Sequence, residues 1–187
     1  METWIRRETV YKGRIVTVVN GVVRLADGTE APREVIEHPG AAGIVPFDGE
    51  GVLFVRQYRI AVGKLMTEIP AGKLEGDELP ETRARIELEE ETGHRAGRLV
   101  PAGMFHPSVG VFSEAIHLFL AFDLVATAQR LEADERIDVV RIPLAEVRRG
   151  IEANRFEDAK TVIGLHALLR HLGYNGATGP AIAMGAE

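Results

Sequence analysis

The sequence predicts one mixed α/β domain, and three observations support this fold class. Runs rich in β-branched and apolar residues, separated by glycine and proline turns, fill most of residues 14–59 and are typical of strands. The segments at 81–92 and 157–172 have helical spacing instead. A chain of 187 residues, 45% hydrophobic and 27% charged, has the size and composition of one globular domain with a sizeable core.

Residues 1–39 are predicted to form a small antiparallel sheet. The segment at 14–25 is strand-like, with Asn20-Gly21 and Asp27-Gly28 as candidate turns, and 33–38 is the predicted returning strand. Two continuous apolar runs follow at 41–47 and 51–59, and they suit strands of a central sheet that is buried on both faces. Residues 60–70 are expected to form a loop.

The segment Gly72–Gly93, GKLEGDELPETRARIELEEETG, contains a predicted helix with marked ends. Pro80 suits the first turn, and the closing glycine suits the position after the last helical residue. Glu87, Glu90 and Glu91 are three or four residues apart, so their carboxylates share one helix face. Like charges at this spacing repel by about 0.2–0.5 kcal/mol per pair, and a divalent cation would reverse the sign. For the glutamates alone, a solvated acidic face is the alternative interpretation.

The remaining elements follow from the same patterns. The predictions are strands at 98–105, 115–125 and 139–142, a short helix at 143–150 and a longer helix at 157–172. Apolar residues recur at helical spacing along the last helix, which should pack one face on the core. The small residues of 174–187 predict a flexible tail.

Charge and composition limit the partners of the chain. A net charge of −6 leaves no basic surplus for a nucleic-acid backbone. The absence of cysteine excludes disulfides and thiolate zinc sites. The first residues have no apolar signal-peptide core, and no later stretch has the length needed to span a bilayer. We therefore expect a cytoplasmic protein with no nucleic-acid or membrane partner.

The spacing within Gly72–Gly93 resembles the Nudix box, G-x5-E-x7-R-E-U-x-E-E-x-G-U, in which U is a bulky apolar residue. The matching residues are Gly72, Glu78, Glu87, Leu88, Glu90, Glu91 and Gly93. His94 replaces the final apolar residue, and Ile86 replaces the arginine that orients the glutamates in the family. We hypothesise that Arg83, four residues before Glu87, takes over this orienting role.

Stretches outside the box resemble the ADP-ribose pyrophosphatase branch of the Nudix family. They are REVIEHPGAAGIVPF, VRQYR, EIPAGKLE and DAKTVIGL. The resemblance implies an α/β fold of the Nudix type, an α/β/α sandwich with a mixed central sheet plus a small N-terminal antiparallel sheet. By the same resemblance, residues 1–39 would take part in homodimer formation and contact the substrate base. Residues 40–173 would form the Nudix hydrolase domain.

The resemblance also implies a metal. Cleavage of a pyrophosphate bridge by water requires neutralised phosphate oxygens and an activated water, and Mg²⁺, or Mn²⁺ in its place, supplies both. Glu87 and Glu91 match the principal metal ligands of the family. Glu90 matches a further ligand or a ligand-orienting group, and Ala71 matches the residue whose carbonyl oxygen binds the metal.

The catalytic base of this branch lies on a loop outside the box. Glu135, within LEADERID, matches that place best, and its neighbours Glu132 and Asp134 could be confused with it. Glu114, which closes the loop at 106–114, is the second candidate. For each of these acids, an exposed solubilising charge is the alternative role.

Four further residues are predicted to contact the substrate. Arg56 and Arg59 end a strand that leads toward the box and suit bidentate phosphate binding, with strand-edge salt bridges as the alternative. Glu68 resembles a position that contacts substrate or metal-bound water. Arg33 resembles a position in the N-terminal sheet that reaches the adenine.

These residues together predict a Mg²⁺-dependent hydrolase of a nucleoside diphosphate sugar, most specifically one that converts ADP-ribose and water to AMP and ribose 5-phosphate. Another nucleotide sugar or a dinucleotide, such as GDP-mannose or NADH, is the alternative substrate. A non-catalytic module that senses nucleotides is the alternative from a different class. Its only support in the sequence is Ile86 at the arginine position of the box.

Overall fold

The protein, here a computed structural model, is described over residues 1–174. Within this range the strands are β1 Thr3–Lys12, β2 Thr17–Arg24, β3 Glu30–Glu37, β4 Ala41–Pro46, β5 Gly51–Arg59, β6 Lys64–Glu68, β7 Ala71–Lys73, β8 His94–Phe105, β9 Ile116–Ala126 and β10 Asp138–Pro143. The helices are α1 Pro80–Thr92, α2 Leu144–Glu152 and α3 Ala159–His171. The predicted tail lies outside the described residues, apart from Tyr174.

A mixed four-stranded sheet, in the order β7-β4-β9-β8, forms the centre of the fold. Strands β4 and β9 are parallel, and the other neighbours are antiparallel. Successive side chains of a strand point to opposite faces, so β4 contributes to two cores. Ile44 packs with Leu88 of α1 on one face, and Val45 packs with Leu165 and Leu168 of α3 on the other. The predicted α/β/α sandwich with a mixed central sheet is therefore confirmed.

A second sheet, β10-β5-β6, lies on the α3 side of the central sheet. Val52 and Phe54 of β5 share the core cluster that contains Leu165, and Val147 of α2 is buried in the same cluster. Strand β5 thereby leads from the core toward Arg59 at its end, and the chain then returns through β6 to Glu68. This sheet places the segment just before the box beside the N-terminus of α3.

The helix α1 has the ends predicted from the sequence. It begins at Pro80 and ends at Thr92, and Gly93 follows with a φ of 66°, in the left-handed region that favours glycine. The N–H of Gly93 donates to the carbonyl of Glu89 at 2.9 Å. Leu88 and Ala84 are fully buried against the central sheet, which fixes the rotation of the helix about its axis.

The N-terminal antiparallel sheet is present in the order β1-β2-β3, but the turn predicted at Asn20-Gly21 is wrong. Strand β2 continues through both residues, and the turn lies at Asp27-Gly28, where Gly28 has a φ of 88°. A Cβ on Gly21 would lie 2.1 Å from the carbonyl oxygen of Arg6. Gly21 therefore serves the close approach of β1, which a local sequence pattern does not reveal.

The prediction that residues 60–70 form a loop is also partly wrong, because Lys64–Glu68 form strand β6. This strand is short and lies at the edge of its sheet, with Lys64 and Leu65 exposed. An edge strand needs no apolar alternation, so its sequence resembles that of a loop. None of the helices within residues 1–174 has the length and apolar character needed to cross a membrane.

Candidate functional site

A cavity of about 540 Å³ lies where the carboxyl-terminal half of α1, strand β7 and the N-terminus of α3 meet. Six of the residues predicted for the site line it: Arg59, Ala71, Glu87, Glu90, Glu114 and Glu135. The structure therefore brings together residues from the central sheet, the second sheet, one helix and two loops. Acids of α1 form one wall, and Arg59 lies on another together with Lys160 of α3.

Glu91 is the most buried acid of α1, with 4% of its surface exposed. Its Oε2 accepts a hydrogen bond from the backbone N–H of Ala71 at 2.9 Å. Burial, together with repulsion by Glu87 and Glu135, raises the pKa of Glu91 to about 8. This carboxylate is therefore costly to ionise without a compensating cation.

Glu87 lies one helical turn before Glu91 and touches the strand that precedes the helix. Burial raises the pKa of Glu87 to about 7 although Arg83 acts to lower it, and the charges of Glu90 and Glu135 raise it further. A Cβ at position 72 would lie 1.7 Å from Oε1 of Glu87. Gly72 therefore provides the space that this carboxylate occupies.

Arg83 is the cation that holds the beginning of the box. It donates to Glu78 through Nε at 2.6 Å and Nη2 at 3.1 Å, and its Nη1 donates to Glu87 at 3.3 Å. Its side chain is 11% exposed, and a further ion pair of 3.2 Å joins it to Glu75. Ile86, at the arginine position of the family's box, is instead 37% exposed.

The carboxylates do not form a ready-made metal site. Within residues 1–174, no three His, Asp or Glu side chains are close enough to hold an ion together. Glu87 is bonded to Arg83, and Glu91 is bonded to the N–H of Ala71. The donors nevertheless fit a hard divalent cation, because they are carboxylate oxygens whose mutual repulsion such an ion would remove.

The loop that carries Glu135 is attached to the end of α1. The N–H of Thr127 donates to the carbonyl of Gly93 at 2.7 Å, and the side chain of Gln129 donates to the carbonyl of Glu91 at 2.7 Å. Oε2 of Glu135 accepts from the N–H of Glu132 at 3.0 Å. Glu135 is thereby held close enough for its charge to raise the pKa of both Glu87 and Glu91.

The neighbours of Glu135 and the second candidate base are also in the cavity. Glu132 and Asp134 line it, and Asp134 forms an ion pair with Arg14 at 3.5 Å. Glu114 has a 16% exposed side chain that lies 3.5 Å from Nδ1 of His38. That nitrogen already accepts a hydrogen bond from the N–H of Gly40 at 3.1 Å, so it carries no proton for Glu114.

Glu68 is a buried carboxylate that joins two cations. Arg59 donates to it through Nε at 2.7 Å and Nη2 at 3.1 Å, and Lys160 donates to its second oxygen. Burial opposes ionisation, but the hydrogen bonds from Arg59 and the charge of Lys160 keep the pKa of Glu68 below its ordinary value. Glu68 thus contacts Arg59 and Lys160, which themselves line the cavity.

Sequence reasoning missed Lys160 and Asp158 as residues of this cavity. Both lie in the stretch DAKTVIGL, whose similarity to the family was the available signal. Asp158 is the N-cap of α3 and accepts hydrogen bonds from the N–H of Thr161 at 3.0 Å and its hydroxyl at 2.6 Å. The hydroxyl oxygen of Thr161 in turn accepts from the N–H of Ile69 at 2.9 Å.

Two predicted substrate contacts, Arg33 and Arg56, are not among the residues described as lining the cavity. Arg33 lies on β3 and donates through Nε to Glu2 at 2.9 Å. Arg56 forms an ion pair of 3.7 Å with Asp138 on the neighbouring strand. This is the strand-edge salt bridge considered as its alternative role.

A carboxylate-rich helix at a cavity of an α/β/α sandwich is the arrangement that the box resemblance implied. The profile described as the NUDIX domain matches residues 37–163 of the sequence. The chain therefore belongs to the Nudix family and is a Nudix hydrolase.

Two relatives and one solved structure are similar to most of the chain. An ADP-ribose pyrophosphatase from Bacillus subtilis (strain 168) is 35% identical over 170 residues, which cover 89% of this chain and 92% of the relative. A methanol dehydrogenase activator from Bacillus methanolicus is 37% identical, with the same coverage. The crystal structure of an ADP compounds hydrolase has a TM-score of 0.80 at 24% identity, covers 92% of this chain and 96% of its own, and confirms the fold.

We expect Glu91→Gln to stabilise the metal-free protein by about 1–3 kcal/mol more at pH 8 than at pH 5. An unfolded glutamate has a pKa near its ordinary value of 4.5, and burial raises the folded pKa to about 8. Between these values the folded state binds the extra proton, so wild-type stability falls as pH rises. Glutamine cannot ionise, and it still accepts the N–H of Ala71. Urea unfolding with a chelator, at both pH values, measures the difference.

Glu89→Gln is the matched control for this prediction. Glu89 lies on the same helix but forms surface ion pairs with Arg95 at 2.6 Å and Arg130 at 2.9 Å. Its substitution should give no gain in stability at pH 8. An equal effect of Glu91→Gln at both pH values would show that Glu91 does not carry a raised pKa.

Proposed function

We propose that this protein hydrolyses the pyrophosphate bond of a nucleoside diphosphate sugar in a Mg²⁺-dependent reaction, with ADP-ribose and water giving AMP and ribose 5-phosphate. The observation that carries the proposal is the placement of the buried Glu91 one helical turn from Glu87, which lines a cavity that Arg59 and Lys160 also line. One wall suits a metal and the other suits anionic phosphate. The similarity to an ADP-ribose pyrophosphatase supports the choice of substrate.

Carboxylates of Glu87, Glu90 and Glu91 and the carbonyl of Ala71 would hold the metal. When bound, Mg²⁺ neutralises phosphate oxygens and lowers the pKa of a coordinated water. The protein's own contribution is to keep the carboxylates in place. Arg83 restrains Glu87 through a hydrogen bond of 3.3 Å, and the N–H of Ala71 restrains Glu91.

Glu135 is the proposed base that takes the proton of the attacking water. It lines the cavity, and its charge acts on both Glu87 and Glu91, which supports a place beside the proposed metal ligands. The attachment of its loop to the end of α1 keeps it there. Glu114 is the second candidate base, from the loop that also carries His106, whose Nδ1 lies 2.8 Å from the carbonyl of Glu114.

Arg59 is the proposed phosphate contact. Glu68 binds its Nε and Nη2 atoms, which leaves the Nη1 edge for an oxygen of the substrate. Arg33 would reach the adenine only if a second copy of the chain brought its N-terminal sheet over the cavity, so this role requires a homodimer. Arg56 would have to leave Asp138 in order to contact phosphate.

Product analysis tests the proposal directly. Purified protein is incubated with Mg²⁺ and, separately, with ADP-ribose, GDP-mannose, NADH and diadenosine compounds, with and without chelator. We expect AMP and ribose 5-phosphate to form fastest from ADP-ribose, and product formation to stop when the chelator removes the metal. Faster hydrolysis of another compound would instead assign the substrate to that nucleotide class.

Glu91→Gln separates a catalyst from a module that only senses nucleotides. The substitution removes a charge that the metal needs but leaves the cavity wall in place, so we expect turnover to fall by at least about 100-fold. Affinity for ADP-ribose in chelator, measured by calorimetry, should change by less than about threefold because the phosphate contacts remain. Measurable binding by the wild-type protein without hydrolysis of any compound would favour the sensor.

Arg83→Gln tests whether Arg83 performs the role of the box arginine. We expect turnover to fall by about 10-fold or more, because Glu87 loses the cation that restrains its carboxylate. Arg85→Gln is the matched control, since Arg85 forms a comparable pair with Glu81 on the exposed side of the same helix, at 2.9 Å. Its turnover should stay within about twofold of the wild type. Equal losses in the two variants would argue against an orienting role.

A further inference from the structure

The N-terminus of α3 holds the segment that immediately precedes the box. Lys160 donates to Glu68, and the hydroxyl oxygen of Thr161 accepts from the N–H of Ile69. Two residues later, the N–H of Ala71 donates to Glu91. A short stretch of backbone therefore links the end of α3 to both the Arg59 wall and the metal-binding wall of the cavity.

Glu68 has two cationic partners. Arg59 donates to both oxygens of this buried carboxylate, through Nε to Oε1 and through Nη2 to Oε2, and Lys160 also donates to Oε2. Lys160 is itself only 13% exposed and shares its charge with Asp158 at 3.1 Å. Without Lys160, Glu68 would balance Arg59 alone, and the guanidinium would present little net charge to the cavity.

We infer that Lys160 is a positioning residue: by sharing Glu68, it fixes the direction of the Arg59 guanidinium and divides the charge of Glu68, so that this carboxylate neutralises Arg59 less completely and leaves it able to bind an anionic substrate. This inference rests on the proposed function, because it takes Arg59 as the phosphate contact. Lys160 acts through Glu68 rather than by an obligatory contact with the substrate. The two hydrogen bonds of Arg59 set the geometry, and the second cation determines how much charge remains.

Lys64 provides an internal comparison. It also lies on β6, the strand that ends at Glu68, and it pairs with Glu157, one residue before the N-cap of α3. The Lys64 pair thus joins the same two segments as the Lys160 pair, with the same chemistry. Its lysine is 49% exposed and is not among the residues that line the cavity. Substitution of Lys64 therefore measures how much a salt bridge between these two segments affects substrate binding when it does not line the cavity.

The experiment compares Lys160→Met with Lys64→Met in the full chain. The dissociation constant for ADP-ribose is measured by calorimetry in chelator, and kcat and KM are measured with Mg²⁺. We expect Lys160→Met to weaken binding by about tenfold and to raise KM more than it lowers kcat. Lys64→Met should stay within about twofold of the wild type. Lys160→Gln, which keeps a hydrogen-bond donor without the charge, should weaken binding as Lys160→Met does, and it serves if the methionine variant fails to fold.

A double-mutant cycle with Glu68→Gln identifies the route of the effect. If Lys160 acts through Glu68, Lys160→Met should cost much less affinity in the Glu68→Gln background than in the wild type. Fully additive losses, or a loss no larger than that of Lys64→Met, would overturn the inference while leaving the proposed function intact. If Lys160→Met weakens binding of ADP-ribose but neither the wild-type protein nor any variant hydrolyses it, the inference is supported and the proposed catalysis is refuted.

Discussion

The close placement of two carboxylates, the buried Glu91 and the partly buried Glu87, is the constraint on which the rest of the site depends. Both acids have pKa values raised by loss of water and by repulsion from neighbouring acids, to about 7 for Glu87 and about 8 for Glu91. The fold tolerates them because the Arg83 guanidinium and the backbone N–H of Ala71 each bind one of them. Gly72 leaves the space that Glu87 occupies. The protein therefore maintains a cluster that a divalent cation would stabilise.

Arg59 and Lys160 bring cationic groups to the same cavity. There the buried carboxylate of Glu68 binds both Arg59 and Lys160, and Lys160 also pairs with Asp158 at 3.1 Å. The substrate class proposed for this cavity combines an anionic phosphate bridge with a metal, and the two walls suit these two partners. The N-terminus of α3 connects the walls, because Lys160 and Thr161 hold the short segment that ends at Ala71.

Local patterns predicted the helix of the box well because its determinants are close in sequence. Pro80 and Gly93 mark its ends, and burial of Leu88 sets its orientation, so the three acids necessarily share a face. The errors arose where distant segments meet. Gly21 resembles a turn residue, but it serves the approach of β1, and the edge strand β6 lacks the apolar alternation that would reveal it.

The sequence by itself determined the fold class, the family and the acids of α1, because fixed spacing on a helix translates directly into a shared face. Only the tertiary structure decided which other side chains meet them. Arg83 contacts Glu87 at the spacing that the sequence suggested. The pairing of Glu68 with Lys160, by contrast, joins residues 92 positions apart through the packing of α3 on β4. Such contacts depend on how sheets and helices stack, which no short-range pattern encodes.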